Sequence, residues 1–347
     1  MEKIDIKSMT LPELKEAFAS RGYESFRAKQ VFQWLHCKNV NSFDEMTNIS
    51  SNIKGDLTED FYITSLKIGK RLVSKLDNTV KYLYELPDGN HVESVRMSYK
   101  HGNSVCISTQ VGCKMGCSFC ASTIAGFVRN LTPSEILEQV YAACKDAGQR
   151  VSNVVLMGIG EPLDNYDNVL RFLKLLSDED GFHLSLRHVS LSTCGVVPNI
   201  YRLAEEKLQL TLSISLHAPN DEIRSRTMPV NRRWNIDELL EACRYYEQKT
   251  GRRISYEYAL ISGVNDSLRA AEELASRLKG TLCHVNLIPV NSVAETGYRA
   301  STKQKVFAFQ KYLNDHGIPA TVRRTLGADI DAACGQLRRE QLDAEKS

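Results

Sequence analysis

The sequence predicts an α/β chain built on a partial (β/α)6 barrel of the TIM type, preceded by a β-ribbon and a small helical unit. Three observations carry that expectation. Beyond Ser104, short β-rich runs alternate with amphipathic helical stretches, the signature of a parallel sheet. Upstream of Met97 the hydrophobic period is two, and upstream of about residue 60 it is helical. The cysteine, glycine and histidine motifs fall where strand runs end, which is where such barrels carry their chemistry.

Taken in order, residues 1–60 read as a helical accessory unit. Thr10-Leu-Pro-Glu13 is a capping box with proline in the first turn, Leu11, Leu14 and Phe18 follow at helical spacing, and Gly22 ends the helix. A second helix runs from about Phe26 to Leu35, with Phe26, Val31, Trp34 and Leu35 as its apolar face and Arg27 and Lys29 outside. Residues 61–98 read as a β-ribbon linker. Its first strand alternates as far as Leu76, its second runs from Thr79 to Leu86, and Pro87-Asp-Gly-Asn90 turns the chain into a third from His91 to Met97. Residues 99–330 form the barrel core. Its strand runs are Val105–Ser108, Val154–Met157, His188–Ser192, Leu210–Leu216, Ile254–Ile261, His284–Ile288 and Ala320–Arg324. Helical stretches at Ser134–Ala147, Asn168–Leu176, Ile236–Lys249, Ser267–Leu278 and Ser301–Asp315 lie between them. Residues 331–347 form a C-terminal segment that carries Cys334.

Composition narrows the setting. The 347 residues are 42% hydrophobic and 25% charged, ordinary for a globular chain. No run of about 18 apolar residues is present to span a membrane, and the start lacks the shape of a secretion signal. Ten cysteines without a pairing pattern fit a reducing cytoplasm, as ligands, catalysts or buried thiols. A net charge of +2 excludes no partner, because a nucleic-acid enzyme can confine its positive potential to one face.

Cys113-Lys-Met-Gly-Cys117-Ser-Phe-Cys120 places three thiols in one short loop. Thiolates bind iron–sulfur clusters and zinc. Three ligands on a four-iron cubane leave one iron open to a small molecule; zinc would recruit a distant fourth ligand, and a merely buried trio is also open at this point. Gly158-Ile-Gly160-Glu161-Pro162 lets backbone approach a ligand and offers the Glu161 carboxylate to an ammonium, or is simply a tight turn. Ser192, Ser215, His217 and Asn291 lie at or just beyond strand ends and suit ribose hydroxyls and a carboxylate. Cys106 reads alone as a small buried hydrophobe, and Glu93 as an ordinary exposed carboxylate.

Together these motifs resemble the RlmN family of radical S-adenosylmethionine (SAM) RNA methyltransferases, kin of the Cfr resistance enzymes. The likeness runs through Cys113-x3-Cys117-x2-Cys120, Gly126-Phe-x-Arg129-Asn-Leu131, Met157-Gly-x-Gly-Glu-Pro162, Leu191-Ser-Thr193, Ser215-Leu-His-Ala-Pro-Asn220, Gly263-Val-Asn-Asp266, Asn286-Leu-Ile-Pro289 and Asp329-Ile-Asp-Ala-Ala-Cys-Gly-Gln336. The resemblance implies a radical SAM barrel with one 4Fe-4S cluster on Cys113, Cys117 and Cys120, and two SAM molecules per turnover. It implies SAM contacts at Gly160, Glu161, Ser192, Ser215, Leu216, His217 and Asn291. Cys334 would be the methyl carrier, Glu93 the proton acceptor, and Cys106 the resolving thiol that forms a transient disulfide with Cys334. The implied product is 2-methyladenosine in 23S rRNA, at the peptidyl transferase centre, and in tRNA next to the anticodon. The implied partners are those RNAs, met by a monomer with an RNA-binding N-terminal unit, and a flavodoxin- or ferredoxin-type electron donor. The alternatives are Cfr-like C8 methylation of the same adenosine, or a non-catalytic RNA-binding protein with a structural metal.

Overall fold

The computed structural model describes residues 3–100, 102–124, 126–289, 297–330 and 337. At the N-terminus, β1 (Ile4–Asp5) leads to α1 (Leu11–Ala19), α2 (Ser25–His36) and α3 (Ser51–Asp60), and β2 (Phe61–Tyr62) returns to pair in parallel with β1. The expected capping box opens α1: Thr10 N donates to Glu13 Oε2 at 2.8 Å. The buried stripe of α2 is Ala28, Val31, Phe32 and Leu35, at spacings of three, one and three. Phe26, expected on the apolar face, sits off that stripe and is 53% exposed. The helix α3 was not foreseen, because only Ile53 and Leu57 of its ten residues are buried. Two buried polar contacts fasten this unit to the barrel. Lys7 Nζ meets Glu138 Oε1 at 2.6 Å, and the His36 ring pairs with the Tyr141 hydroxyl at 3.0 Å.

The antiparallel strands β3 (Lys67–Val73), β4 (Val80–Glu85) and β5 (His91–Tyr99) follow, with the expected turn between the last two. The first strand stops short of Leu76. Ser74 Oγ accepts from the backbone N–H of Leu76 and of Asp77, which folds the chain into a turn and leaves Leu76 72% exposed. β5 pairs antiparallel with β6 (Gly102–Cys106), so the three strands continue the barrel sheet without a break. A small hairpin comes next, β7 (Gln110–Gly112) and β8 (Phe127–Asn130), with the single turn α4 (Ala121–Ile124) between its arms.

From there the units alternate: α5 (Pro133–Ala147), β9 (Val151–Leu156), α6 (Tyr166–Ser177), β10 (Val189–Thr193), α7 (Val197–Glu205), β11 (Thr211–Ser215), α8 (Asp221–Thr227), α9 (Ile236–Thr250), β12 (Ile254–Leu260), α10 (Leu268–Leu278), β13 (Cys283–Pro289), α11 (Lys303–Asp315) and β14 (Ala320–Val322). β6 pairs in parallel with β9, and each later barrel strand pairs in parallel with its successor, the predicted six-unit barrel. Helices α7 and α8 are additions to the expected list. Both are short: α8 buries only Arg224 and Thr227, and α7 confines its stripe of Val197, Ile200, Leu203 and Ala204 to nine residues.

Barrel strands are covered on both faces. Along β12, Ile254, Tyr256 and Tyr258 enter the main core, while Glu257 and Ala259 face the lumen cavity. After β14 the chain crosses to the far edge of the sheet. Ser74 Oγ and Lys75 N donate to the two carboxylate oxygens of Asp329, at 2.6 and 2.8 Å. Gly327 N donates to Asp77 Oδ2 at 2.8 Å. This clasp joins the turn after β3 to the segment leading toward Cys334. Among the described residues no helix is long and apolar enough to cross a membrane.

Candidate active site

The C-terminal ends of the barrel strands surround a cavity of about 380 Å³, walled in part by Cys113, Cys117, Cys120, Glu161, Ser192 and His217. Gly160, Ser215 and Cys106 reach the same cavity. Sequence motifs spread over more than a hundred residues therefore converge because each follows a strand of one parallel sheet. Leu216 contributes differently: its side chain is buried in the core, and its N–H donates to Glu257 O at 3.1 Å. Asn291 and Cys334 lie outside the described residues.

The cysteine loop is anchored from both sides. Ser118 N donates to Thr227 O at 2.9 Å, tying the loop to the end of α8, and Cys120 N donates to Cys117 O at 3.1 Å. Its approach is set by Gly112, whose φ is +79°; a Cβ there would stand 1.7 Å from Gly126 O. Burial pushes the Cys113 thiol up to about 12 and drives Cys117 further still. These are dry thiols that stay protonated until a cation is bound.

Glu161 is buried, and its carboxylate spans two loops. Oε1 accepts from Leu163 N at 3.0 Å and Oε2 from Cys194 N at 2.7 Å. Burial raises its pKa, against the pull of these donors. Gly160 (φ +107°) makes this possible, because a Cβ would meet the Gln110 side chain at 2.6 Å. His217 sits in the left-handed region at φ 53°. Its Nδ1 accepts from Ala259 N at 2.9 Å, which leaves Nε2 to carry the proton of the neutral ring. Burial, and secondarily the Arg224 charge, hold the His217 pKa at about 3. Ser192 Oγ and Ser215 Oγ stand 3.4 Å apart, and Ser215 is in register with Glu257.

The opposite wall is built by β5 and β6. Cys106 packs with Val95 and Met97, and Met157 and Leu326 lie against that cluster. Glu93 is not the exposed carboxylate its sequence setting suggested. It is 2% exposed and pairs with Lys81 Nζ at 3.2 Å, itself 1% exposed. Ser108 Oγ donates to Glu93 O and accepts from Ile159 N, linking this strand to the glycine loop.

Comparison with known proteins agrees with this geometry. The radical SAM superfamily profile matches residues 107–278, and the profile of the ribosomal RNA large subunit methyltransferase N-terminal domain matches residues 4–63. The chain is 55% identical over 342 residues to a probable dual-specificity RNA methyltransferase RlmN of Alkaliphilus oremlandii, covering 99% of each. It is 55% identical over 338 residues to one from Clostridium novyi, covering 97% of this chain and 98% of that one. The chain belongs to the RlmN family. A radical SAM methyltransferase from Sphaerobacter thermophilus superposes on it with a TM-score of 0.92 at 43% identity, over 96% of this chain and 98% of that one.

As an RlmN-family radical SAM RNA methyltransferase, the chain should accommodate an iron–sulfur cluster and SAM, and the donor set fits them. The thiols of Cys113, Cys117 and Cys120 share one cavity wall. A cluster spreads its ligands around several metals and deprotonates buried thiols on binding. The nine described cysteines are all free thiols.

Sequence reasoning missed three buried charged residues of this RlmN-family chain, of which Glu257 lines the cavity and Lys81 and Arg224 do not. Lys81 and Glu257 each stand out only as a charge within a strand otherwise buried, a signal that could have drawn notice. Glu257 lines the cavity and accepts from Asn286 Nδ2 at 2.7 Å and Ser255 Oγ at 3.0 Å. Arg224 offered no signal, since its helix is short and polar. Arg129, of the Gly126–Leu131 motif, is committed to Asp88 and Glu135 at 2.6 and 2.8 Å.

Proposed function

We propose that this enzyme forms 2-methyladenosine in 23S rRNA and in tRNA next to the anticodon, through a methyl group carried on Cys334. Cys113, Cys117 and Cys120 would hold the cluster, with Gly160, Glu161, Ser192, Ser215, Leu216, His217 and Asn291 around SAM. When bound, these cofactors supply the methyl group and a 5′-deoxyadenosyl radical, with the electron drawn from a flavodoxin- or ferredoxin-type donor. Radical delivery suits adenine C2, which is flanked by two ring nitrogens and too electron-poor to attack a sulfonium methyl.

The observation that carries the reading is Leu326 packed against the cluster of Val95, Met97 and Cys106. Cys334 follows Leu326 by eight residues and the clasped Asp329 by five, so at about 3.3–3.6 Å per residue it stays within roughly 18 Å of the clasp. Once the carrier carbon is joined to the adenine, Glu93 would take the ring proton, and the adduct's unpaired electron would return to the cluster that Cys113, Cys117 and Cys120 would hold. Cys106 would then attack the Cys334 sulfur: an S–S bond forms as the sulfur–carbon bond to the product breaks, the freed carbon takes the proton that Cys106 gives up and becomes the methyl group, and an external thiol reduces the disulfide. Glu161 would accept from the SAM ammonium, whose positive charge would offset the buried carboxylate.

The test is mass spectrometry of nucleosides from 23S rRNA and tRNA of cells with and without the gene. The expected result is 2-methyladenosine that disappears on deletion. Only 8-methyladenosine would assign C8 chemistry, and neither product would reject the substrate reading.

A further inference from the structure

Arg224 is fully buried, yet every acceptor it reaches is uncharged. Nε donates to Leu216 O at 3.1 Å and Nη1 to Asn231 Oδ1 at 3.0 Å. Nη2 donates to Cys194 O at 2.5 Å and to Ser215 O at 3.2 Å. Among the described residues no carboxylate lies within ion-pair distance of it. Asp221, three positions earlier, turns its Oδ1 to Asn231 Nδ2 and Ile236 N instead. A dry cation without a counter-ion is costly, and such charges are normally paired. The acceptors are not scattered. Cys194, Ser215 and Leu216 are backbone of the loops that wall the cavity, and Cys194 also feeds Glu161. Burial lowers the Arg224 pKa.

We propose that Arg224 is the built-in counter-charge of the iron–sulfur cluster. Arg224 lies in α8, whose last residue, Thr227, receives Ser118 N of the cysteine loop; where three thiolates would bring net negative charge, its buried guanidinium would favour uptake of one further electron. The inference rests on reading Cys113, Cys117 and Cys120 as the ligands. A positive charge in a low-dielectric surrounding acts strongly on a neighbouring redox centre, and cluster potentials respond to local charge. The step concerned is one-electron reduction of the cluster by an external donor, dithionite in the experiment below.

The experiment is a redox titration of the anaerobically reconstituted full chain with dithionite and mediators, read by electron paramagnetic resonance of the reduced cluster. Arg224→Lys keeps the charge and should stay near the parent potential. Arg224→Gln removes it and should shift the midpoint to more negative potential. Asn231→Asp puts a carboxylate on Nη1 while the arginine remains; it should shift the midpoint the same way, and it decides the matter if Arg224→Gln assembles no cluster. Either charge-altering variant with full iron and the parent potential overturns the proposal. Full iron in a Cys113, Cys117 or Cys120 to alanine variant overturns instead the ligand reading beneath it.

Discussion

Glu93 and Cys106 stand on neighbouring strands, and the separate duties proposed for them can be told apart by following one hydrogen. With RNA deuterated at adenine C2, Glu93→Gln should stall as a covalent protein–RNA adduct that keeps its deuterium, because no base removes it. Turnover should fall by about 10²–10⁴, the usual contribution of a positioned base. Cys106→Ala should also stall as an adduct, but one from which the deuterium has gone; mass spectrometry of the digested adduct distinguishes the two. Free turnover by Cys106→Ala would remove that thiol from the reaction. The cysteines of this site were legible because a ligand loop is local in sequence, four and three residues apart. The Glu93–Lys81 pair was not, because its members lie on different strands and meet only through the β4–β5 pairing.

Secondary structure was legible where a local rule sufficed: the capping box of α1, the Pro87–Asn90 turn, the strand–helix alternation. It was not where tertiary contacts decide. β3 ends early because Ser74 turns the chain and the turn then receives Asp329. Asp329 is exposed, so its two bonds compete with water and supply only a small share of total stability. Asp329→Ala should therefore leave the melting temperature nearly unchanged while slowing methylation of Cys334, read by mass spectrometry of its peptide after a single turnover. An equal rate would mean that the clasp does not guide the carrier segment. Gly112→Ala, by contrast, should disorder the β7–β8 hairpin and reduce iron uptake, since its Cβ has no room beside Gly126 O.

Across the whole molecule, His36 and His217 are both buried, and burial holds each near a pKa of about 3 against an ordinary 6.5. Below about 6.5 the unfolded chain takes up protons that the folded chain refuses, so stability should fall as pH drops from 6.5 toward 3. Denaturation midpoints at a series of pH values should show that slope, and His36→Gln should flatten it while keeping an acceptor for Tyr141. An unchanged slope would assign the acid sensitivity to other groups. The barrel was foreseeable because periodicity survives at every strand; the clasp between sheet edges was not, because it joins residues 250 to 255 positions apart. That separation has a consequence for synthesis. A ribosome delivers the turn after β3 early and Asp329 some 250 residues later. Until then the cysteine loop, the glycine loop and Cys106 can all be in place without the clasp. With Cys334 in the proposed carrier role, a copy still short of that residue would be unable to begin the reaction.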